Sequence, residues 1–526
     1  MPPKNNRKAP RVDAYQRLLA RFHEPLILLR ALGKTWGEYT PAHQESGTFR
    51  SIRRRFLDNL CYICDHKKGG DTTSSIGLEE REDRFNFWVA SNQSSGKIVD
   101  FVGEILRDVK LLGGPLSNRE ASKKQQFIHR CIDFAKPRIG KETSLLTGAV
   151  KKYETQLSGQ SQPEEYELLK WLQAFDAKDS IALCERAYDL RKAPQMKDMR
   201  IKSQVLKGEA AKNDIAATFA VIRHMLGRLA HHVRAPKQVI DDSSHLEELL
   251  ERYFVLQIPI PECIPPPTPD GLTTLESMLK RMLPANDSSL PKYEAALLNL
   301  DQKLQIKDRV LELYHSSSFR PRVHAEIQVL EHFYKNKFTF AADDRYIATS
   351  KPACYCCHLY IRNHPFDIVE PPSHKNLYLA WGVPILKGAT NDPEYKHQQK
   401  ILNKMLETIR RDALDQIMSR TVKLKTHPDS LTGITPSLSI VSNTRSIQTG
   451  SLDGQLALLT IKPENNDASS VTSHDGLGES DLEESTGSSW ASSNENTVGR
   501  ISKADEINGD SDSDDDSVVE GGARLA

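Results

Sequence analysis

Two segments hold the residues on which the fold and chemistry of this chain depend. They read V-H-A-E-I-Q-V-L-E-H-F-Y at residues 323–334 and D-R-Y-I-A-T-S-K-P-A-C-Y-C-C at residues 344–357. Three of their side chains are of types that bind zinc through imidazole nitrogen or thiolate sulfur: His324, Cys354 and Cys357. Glu326 follows the histidine by two positions. A catalytic zinc typically keeps three protein ligands, and a carboxylate beside it can transfer protons. The pattern therefore predicts a metal centre with an acidic neighbour.

The residues around these ligands predict two helices and a strand. An apolar set with the spacing of a buried helix face follows the histidine: Ile327, Val329, Leu330 and Phe333. Residues 345–349 resemble a short strand, and Pro352 suits the first turn of a second helix. That helix would carry both cysteines on one face, near a positive dipole end that favours thiolate. Because positions i and i+2 do not share a helix face, Glu326 can serve the metal only if His324 lies in the first turn.

An H-x-E motif followed by C-x-x-C is the arrangement of zinc-dependent base deaminases. The chain resembles the cytidine-deaminase-like superfamily. Within it the chain is most similar to the OTT-like branch, which is common in large fungal proteins and related to bacterial toxin deaminases. Three segments carry the resemblance: H-A-E at 324–326, S-K-P-A-C-Y-C-C at 350–357 and S-H-K-N-L-Y-L-A-W at 373–381.

The resemblance implies roles for individual residues. It makes His324, Cys354 and Cys357 the zinc ligands and Glu326 the proton shuttle, with the backbone carbonyl of Ala325 facing the exocyclic amine of the base. Pro352 departs from the pattern, since many members have a proline immediately before the first cysteine.

Two strand-like runs, 72–78 and 85–91, predict a β-hairpin. In the deaminase fold two strands precede the helix that bears H-x-E. We therefore expect an α/β protein with a three-layer α/β/α sheet, formed by the hairpin at about 72–91 and by residues 321–425. A large all-α insertion and a disordered acidic C-terminal tail complete the predicted fold.

The expected organisation has five regions. They are a disordered basic arm (1–12), N-terminal helices with the hairpin (13–94), a helical insertion (95–320), a zinc-binding catalytic region (321–425) and a disordered Ser/Asp-rich tail (426–526). Within them we predict helices at 246–255, 293–314 and 392–420, and strands at 366–369, 377–381 and 422–424.

Charge is distributed unevenly along the chain. The net charge is +1, but residues 464–526 hold 16 acidic and 3 basic residues, which leaves 68 basic and 54 acidic residues in the rest. A basic body is compatible with a nucleic-acid or nucleotide substrate, and a folded body with a solubilising acidic tail is the alternative. The segment 221–237 could present a basic helical face to phosphates, with Arg223, Arg228 and His232 among its members; an ordinary solvated face is the alternative.

Several other residues have two interpretations each. Asn92 could contact a ribose or phosphate, or be a turn residue. His374 and Trp381 could line the substrate pocket, the tryptophan by stacking on a base, or belong to the core or a loop. The pair Cys61 and Cys64 could be half of another metal site, but its apolar context favours core packing.

Composition excludes some classes of protein. A chain of 526 residues allows two to four domains at about 100–200 residues each. No stretch approaches the roughly 20 apolar residues of a membrane span. The first residues have no apolar region behind their positive charges, so we expect no secretory signal. Eight cysteines in so long a chain indicate a reducing compartment, cytoplasmic or nuclear.

These patterns favour a Zn²⁺-dependent hydrolytic deaminase acting on a nucleobase, with cytosine in nucleic acid as the expected substrate. Free cytidine, a nucleotide or adenine stay open, because base choice depends on pocket shape. Two other functions also stay open. One is a structural-zinc scaffold closed by Cys356, His358 or a distant cysteine, and the other is a catalytically inactive nucleic-acid-binding protein.

Overall fold

The computed structural model describes residues 13–33, 39–40, 48–93, 96–112, 118–157, 162–176, 178–203, 210–316 and 320–419. All of them belong to the unit Met1–Ser439. The predicted basic arm, the strand at 422–424 and the acidic tail lie outside the described residues. The predicted boundaries of the five regions stay predictions.

A four-stranded mixed sheet organises the fold. Its strands are β1 (Ser74–Glu80), β2 (Phe85–Ser91), β3 (Tyr253–Gln257) and β4 (Ile347–Thr349). The strand order is β3-β2-β1-β4. Strand β1 pairs antiparallel with β2 and β4, and β2 pairs parallel with β3. The hairpin predicted from the sequence is confirmed, and it shares a sheet with the strand that precedes the cysteines.

Helices make up most of the remaining described chain. Before the sheet lie α1 (Ala14–Leu32) and α2 (Phe49–Cys64). Between β2 and β3 lie α3 (Gly96–Leu112), α4 (Asn118–Phe134), α5 (Lys136–Gln156), α6 (Pro163–Gln173), α7 (Ser180–Asp189), α8 (Pro194–Lys202), α9 (Ala210–Ser243) and α10 (Glu247–Glu251). After β3 come α11 (Leu275–Met282), α12 (Leu290–Leu304), α13 (Ile306–His315), α14 (Ala325–Asn336), α15 (Tyr355–Asn363) and α16 (Tyr395–Ser419). None of these described helices has the length and apolar character that a membrane crossing needs.

The expectation of an all-α insertion is wrong at one place. The predicted helix at 246–255 is the short α10 followed by β3, which pairs with β2 from Phe85↔Tyr253 to Val89↔Gln257. The run Tyr253-Phe254-Val255 consists of aromatic and β-branched residues that favour strands, and the free edge of β2 gives it a partner. The helix predicted at 293–314 is also interrupted, because Gln305 has a left-handed φ of 52° between α12 and α13.

The strands predicted at 366–369 and 377–381 are wrong. Both segments are irregular among the described residues, and the second makes one isolated bridge, Arg322↔Trp381. Prolines at 365, 371, 372 and 384 flank them, and a proline cannot donate to a strand ladder. The mixed α/β class itself is confirmed.

Helix α14 packs directly on β1 at Gly77. A Cβ atom at this glycine would lie 2.5 Å from Cε2 of Phe333 and 2.7 Å from Cγ1 of Val329. The neighbouring Ile76 and Leu78 point the other way and join a core cluster with the helices of the insertion. The absence of a side chain at position 77 therefore sets how closely the helix bearing H-A-E approaches the sheet.

The basic face predicted at 221–237 is largely buried in α9. Arg228 and His232 are 2% and 4% exposed, and both contact Glu142 of α5, with His232 Nε2 3.0 Å from Glu142 Oε2. Arg138 Nε donates to the same carboxylate at 3.1 Å. Burial opposes the charged carboxylate, but Arg138, His232 and Arg228 outweigh it and hold the pKa of Glu142 well below its usual range. Neither phosphate tracking nor a solvated surface holds for Arg228 and His232, because they form an internal ion-pair cluster; Arg234 is exposed, and phosphate contact there stays a prediction.

Candidate metal centre

His324 is the N-cap residue of α14, with extended backbone angles of φ −67° and ψ 150°. Ala325 is therefore the first helical residue, and Glu326 lies in the first turn. At a helix start the chain has not yet taken up the helical repeat, so residues two apart can approach the same point. Because His324 lies at the start of α14, Glu326 can approach a metal bound to the histidine, as the sequence required.

Cys354 caps the second helix in the same way. It precedes α15, and its sulfur lies 3.5 Å from the backbone N–H of Cys357, which it accepts. Pro352 therefore lies before the helix, and its predicted place in the first turn is wrong. Both sulfurs are held at the N-terminal end of α15, where unpaired backbone N–H groups stabilise negative charge.

These two helix starts bring the three predicted ligands together. His324 Nδ1 lies 3.6 Å from Cys354 Sγ and 3.3 Å from Cys357 Sγ. The three donor atoms all lie within 4.8 Å of one another. One imidazole nitrogen and two sulfurs form a donor set that zinc prefers, so this group fits a zinc site.

Electrostatics at Cys354 agree with a ligand role. Burial opposes its thiolate, but the hydrogen bond from Cys357 and the charge of His324 outweigh burial and lower the pKa of Cys354 well below its usual range. The thiolate is the form that binds metals.

Glu326 lies beside the donor group. It is 6% exposed, and its carboxyl group hydrogen bonds with the Cys357 thiol. Its Oε2 is buried without a hydrogen-bond partner among the described residues. Burial raises the pKa of Glu326 above its ordinary value. A buried carboxyl oxygen without a protein partner is placed to bond a small polar molecule at the centre.

Asn92 holds the start of α14 in place from the end of β2. Its Oδ1 accepts the backbone N–H of Ala325 at 2.8 Å, and its Nδ2 donates to the carbonyl of Gly70 at 2.7 Å. Gln328 adds a second tie, since its Nε2 donates to the carbonyls of Ser91 and Val323 at 3.0 and 2.7 Å. The substrate contact predicted for Asn92 stays a prediction; in the structure its amide bonds to protein on both sides.

Trp381 contacts the donor group directly. Its Nε1–H donates to Cys357 Sγ at 3.1 Å, and the ring is 1% exposed. The ring packs between Phe22 and Tyr360, with centroid distances of 5.7 and 6.0 Å. The sequence suggested base stacking or core packing for Trp381. It did not predict the bond to the Cys357 sulfur, because a separation of 24 residues carries no signal of such a contact. Partners of this kind orient metal ligands and tune their basicity.

His374 lies beside the cysteine segment. Its backbone N–H donates to the carbonyl of Ala353 at 3.2 Å, and its Nδ1 accepts the backbone N–H of Asn376 at 2.9 Å. The ring is therefore oriented with its proton on Nε2. The predicted substrate contacts of His374 and of the Ala325 carbonyl stay predictions.

A second group of potential ligands consists of Glu331, His364 and His397. His364 Nδ1 accepts the backbone N–H of Phe366 at 3.1 Å, so its Nε2 carries the proton and faces Glu331 at 3.5 Å. Tyr360 donates its hydroxyl to the same carboxylate at 2.5 Å. The hydrogen bonding makes this group an acid–histidine cluster that joins α14, α15 and α16.

The other residues that the sequence offered as metal ligands join no group of potential ligands within the described part of the chain. Cys61 and Cys64 are fully buried in α2, and neither belongs to a cluster of potential ligands. Burial raises the pKa of Cys64 well above its usual range. The core interpretation of this pair is the one that the structure favours. Cys356 and His358 also lie outside the donor group of His324.

Comparison with known proteins bears on the same segment. Residues 323–385, which contain all three donors and Glu326, match the sequence model of the OTT_1508-like deaminase family. This segment is similar to that deaminase family. The predicted resemblance is confirmed, and the deaminase segment begins at the loop that Asn92 holds and ends four residues after Trp381. No curated protein and no solved structure matches the chain.

Proposed function

We propose that this protein is a zinc-dependent hydrolytic deaminase that acts on a nucleobase, with cytosine in nucleic acid as its substrate. One observation carries the proposal. Two helix starts place an imidazole nitrogen and two sulfurs within 4.8 Å of one another, and Glu326 lies beside them with a buried oxygen that has no partner among the described residues. The deaminase segment at 323–385 supports the same reaction class.

The reaction adds water to the ring carbon that bears the exocyclic amine and releases ammonia, leaving a carbonyl in place of the amine. His324, Cys354 and Cys357 would hold the zinc, which when bound would act as a Lewis acid and lower the pKa of water toward neutrality. Glu326 takes the two protons of the attacking water in turn and passes one to the ring nitrogen and the other to the amino group, which departs as ammonia. Its burial suits this role, because a carboxyl group with a raised pKa can both accept and return a proton near neutral pH.

The other chain residues position this machinery. Asn92 fixes the N-terminus of α14, and with it the direction of Glu326. Trp381 orients the Cys357 sulfur. The Ala325 carbonyl and His374 are the groups that we assign to substrate contact. The sheet with its helices forms, in this proposal, the three-layer α/β/α core of the deaminase fold.

A scaffold with a closed zinc site receives less support. Such a site needs four protein ligands, and the group found among the described residues has three, without Cys356 or His358. The sequence suggested that α9 could support an inactive nucleic-acid binder. The structure weakens that support, because Arg228 and His232 are bound to Glu142 inside the protein. The basic excess outside the acidic tail still supports a polyanionic substrate.

The test of the reaction is sequencing of single-stranded DNA and RNA after incubation with the purified full chain, together with ammonia release from free nucleosides. We expect C-to-U changes in nucleic acid with the wild type and none with Glu326→Gln, which keeps the size of the side chain. Zinc content of both proteins should be equal. Turnover by Glu326→Gln at the wild-type rate would falsify the proton-transfer role, and conversion of free nucleosides alone would overturn the substrate assignment.

The metal assignment has a matched control within one segment. Cys354→Ala should lose bound zinc, whereas Cys356→Ala, two residues away and outside the donor group, should retain it. Zinc per chain, measured by atomic emission after dialysis, distinguishes the two variants. Equal retention by both, or equal loss, would contradict the assignment of ligands.

A further inference from the structure

A cleft lies between α1 and α16, apart from the candidate metal centre. Its volume is about 510 Å³, within the roughly 300–1,000 Å³ of small-molecule sites. Three of its lining side chains are arginines: Arg17, Arg21 and Arg410. We call it the arginine cleft. None of the residues assigned above to metal, proton transfer or substrate lines it.

Two of these arginines are poorly compensated. Among the residues that the structure describes, no carboxylate lies within ion-pair distance of Arg21 or Arg410. The Nε of Arg410 is buried without a hydrogen-bond partner there. Burial, and next the charge of Arg21, lowers the pKa of Arg410, and the nearby carboxylates Glu24 and Glu407 only partly oppose this. Arg21 is exposed and Arg410 is half-buried, so two like charges lie close together, and a bound anion would relieve both their repulsion and the unpaired Nε of Arg410.

The rest of the lining fits a polar ligand. Glu407 is the single acidic residue in the lining, which also holds three arginines, and Glu24 lies near Arg21 and Arg410 outside the lining. Two carboxamides, Gln399 and Asn403, add hydrogen-bond donors. Gln399 is held in place by its bond to the Tyr395 hydroxyl at 3.1 Å.

The chemistry of this lining selects the ligand class. Guanidinium groups bind phosphate oxygens through paired, charge-assisted hydrogen bonds. More than one guanidinium group in the same cleft suits an anion with more than one negative charge, and a phosphate monoester carries about −1.5 to −2 at neutral pH.

We propose that the arginine cleft binds a small phosphorylated molecule, with Arg21 and Arg410 as its principal phosphate contacts. The site is additional to the deaminase centre, and the proposal does not depend on the reaction assigned there. The shared ligand chemistry is phosphate, which small molecules and nucleic acids both carry. The cleft volume of about 510 Å³ lies within the range of small-molecule sites, and this favours the small molecule.

The test is isothermal titration of the full chain with inorganic phosphate, pyrophosphate, sulfate and a single-stranded oligonucleotide at constant ionic strength. We expect pyrophosphate to bind more tightly than phosphate and both to bind more tightly than sulfate. The double variant Arg21→Gln/Arg410→Gln should weaken pyrophosphate binding by about 10-fold or more, since each charge-assisted bond contributes substantially.

Two further variants separate a site from general surface charge. Lys400→Gln/Lys404→Gln removes the same number of positive charges from exposed positions of α16 that do not line the cleft, and it should leave pyrophosphate affinity within about 2-fold. Glu407→Gln removes the one opposing carboxylate and should tighten binding by about 2- to 5-fold. A gain of affinity cannot arise from a damaged fold.

The outcomes decide the proposal. Weakening by the arginine variant together with tightening by Glu407→Gln supports it. No binding of any phosphate probe, equal weakening by the lysine variant, or equal binding of sulfate and pyrophosphate overturns it. Binding of the oligonucleotide alone, lost in the arginine variant, also overturns it and would make the cleft a nucleic-acid contact.

Discussion

The side-chain oxygen of Asn92 accepts the backbone N–H of Ala325 at 2.8 Å, although 233 positions separate the two residues. Asn92 follows the last residue of β2, and Ala325 is the first residue of the helix that carries Glu326. The bond satisfies one of the N–H groups that a helix start leaves unpaired. It ties the far end of the hairpin to the candidate metal centre across the whole helical insertion.

Asn92→Ala should therefore damage the centre more than it damages the fold. It removes the bonds to Ala325 and Gly70, at a cost of about 1–3 kcal/mol in unfolding free energy. Asn86→Ala is the matched control. Asn86 is a buried asparagine within β2, and its Nδ2 donates to Glu79 rather than to a group at the metal centre. We expect similar losses of stability, with a fall in zinc affinity and turnover only for Asn92→Ala. Equal effects on zinc affinity would contradict the positioning role.

Trp381→Phe tests the bond between the indole and the Cys357 sulfur. The substitution keeps an aromatic ring in the core and removes the N–H that lies 3.1 Å from Sγ. Since partners of metal ligands tune their affinity, we expect zinc to bind about 10- to 100-fold more weakly, measured by competition with a chromogenic chelator.

The control for this variant is Trp88→Phe, which loses an indole bond to Glu79 at 2.7 Å, away from the cysteines. It should leave zinc affinity unchanged. If both tryptophan variants lowered affinity equally, the bond to sulfur would have no specific effect on the metal.

Gly77→Ala tests how α14 is seated on the sheet. The added methyl group would lie 2.5 Å from Phe333 Cε2, which forces the helix or the ring to shift. Overpacking of this kind costs about 1–3 kcal/mol, so the thermal unfolding midpoint should fall. Gly103→Ala, inside α3 with nothing within 4 Å of the new methyl, should raise the midpoint slightly, because alanine favours helices by about 1 kcal/mol over glycine. A midpoint unchanged by Gly77→Ala would show that the contact can relax freely.

His23 should make stability depend on pH in the mildly acidic range. Burial lowers the pKa of His23 from 6.5 to about 4, so below pH 6.5 the unfolded chain binds a proton that the folded chain does not. The free energy of unfolding then falls as the pH drops from about 6.5 to 4, by up to about 3 kcal/mol, and is fully retained above 6.5.

His23→Gln keeps a donor for the Leu19 carbonyl, which His23 Nδ1 contacts at 2.9 Å, and removes the titrating ring. Urea unfolding at pH 7, 6 and 5 should show a shallower loss of stability for this variant than for the wild type. His315→Gln, at an exposed position of α13, should not change the slope. Identical slopes for the wild type and His23→Gln would count against a neutral buried ring.

The sequence by itself predicted the parts of this protein that local chemistry encodes. Ligand types and their spacing predicted the group of His324, Cys354 and Cys357, because zinc chemistry limits which side chains can serve. Period-two runs predicted the hairpin, and apolar repeats predicted the helices that follow H-A-E and span most of 392–420. The match at 323–385 lies where those local signals are strongest.

Only the tertiary structure decided the contacts between distant segments. Strand β3 forms because the free edge of β2 gives Tyr253–Gln257 a partner, which outweighed a helical interpretation of the same residues. Arg228 and His232 are internal because Glu142 of another helix neutralises them. The bond from Trp381 to Cys357 and the arginine cleft likewise join residues from separate elements. Spacing along a chain records which residues can share a helix face or a strand, but packing determines which of those faces meet.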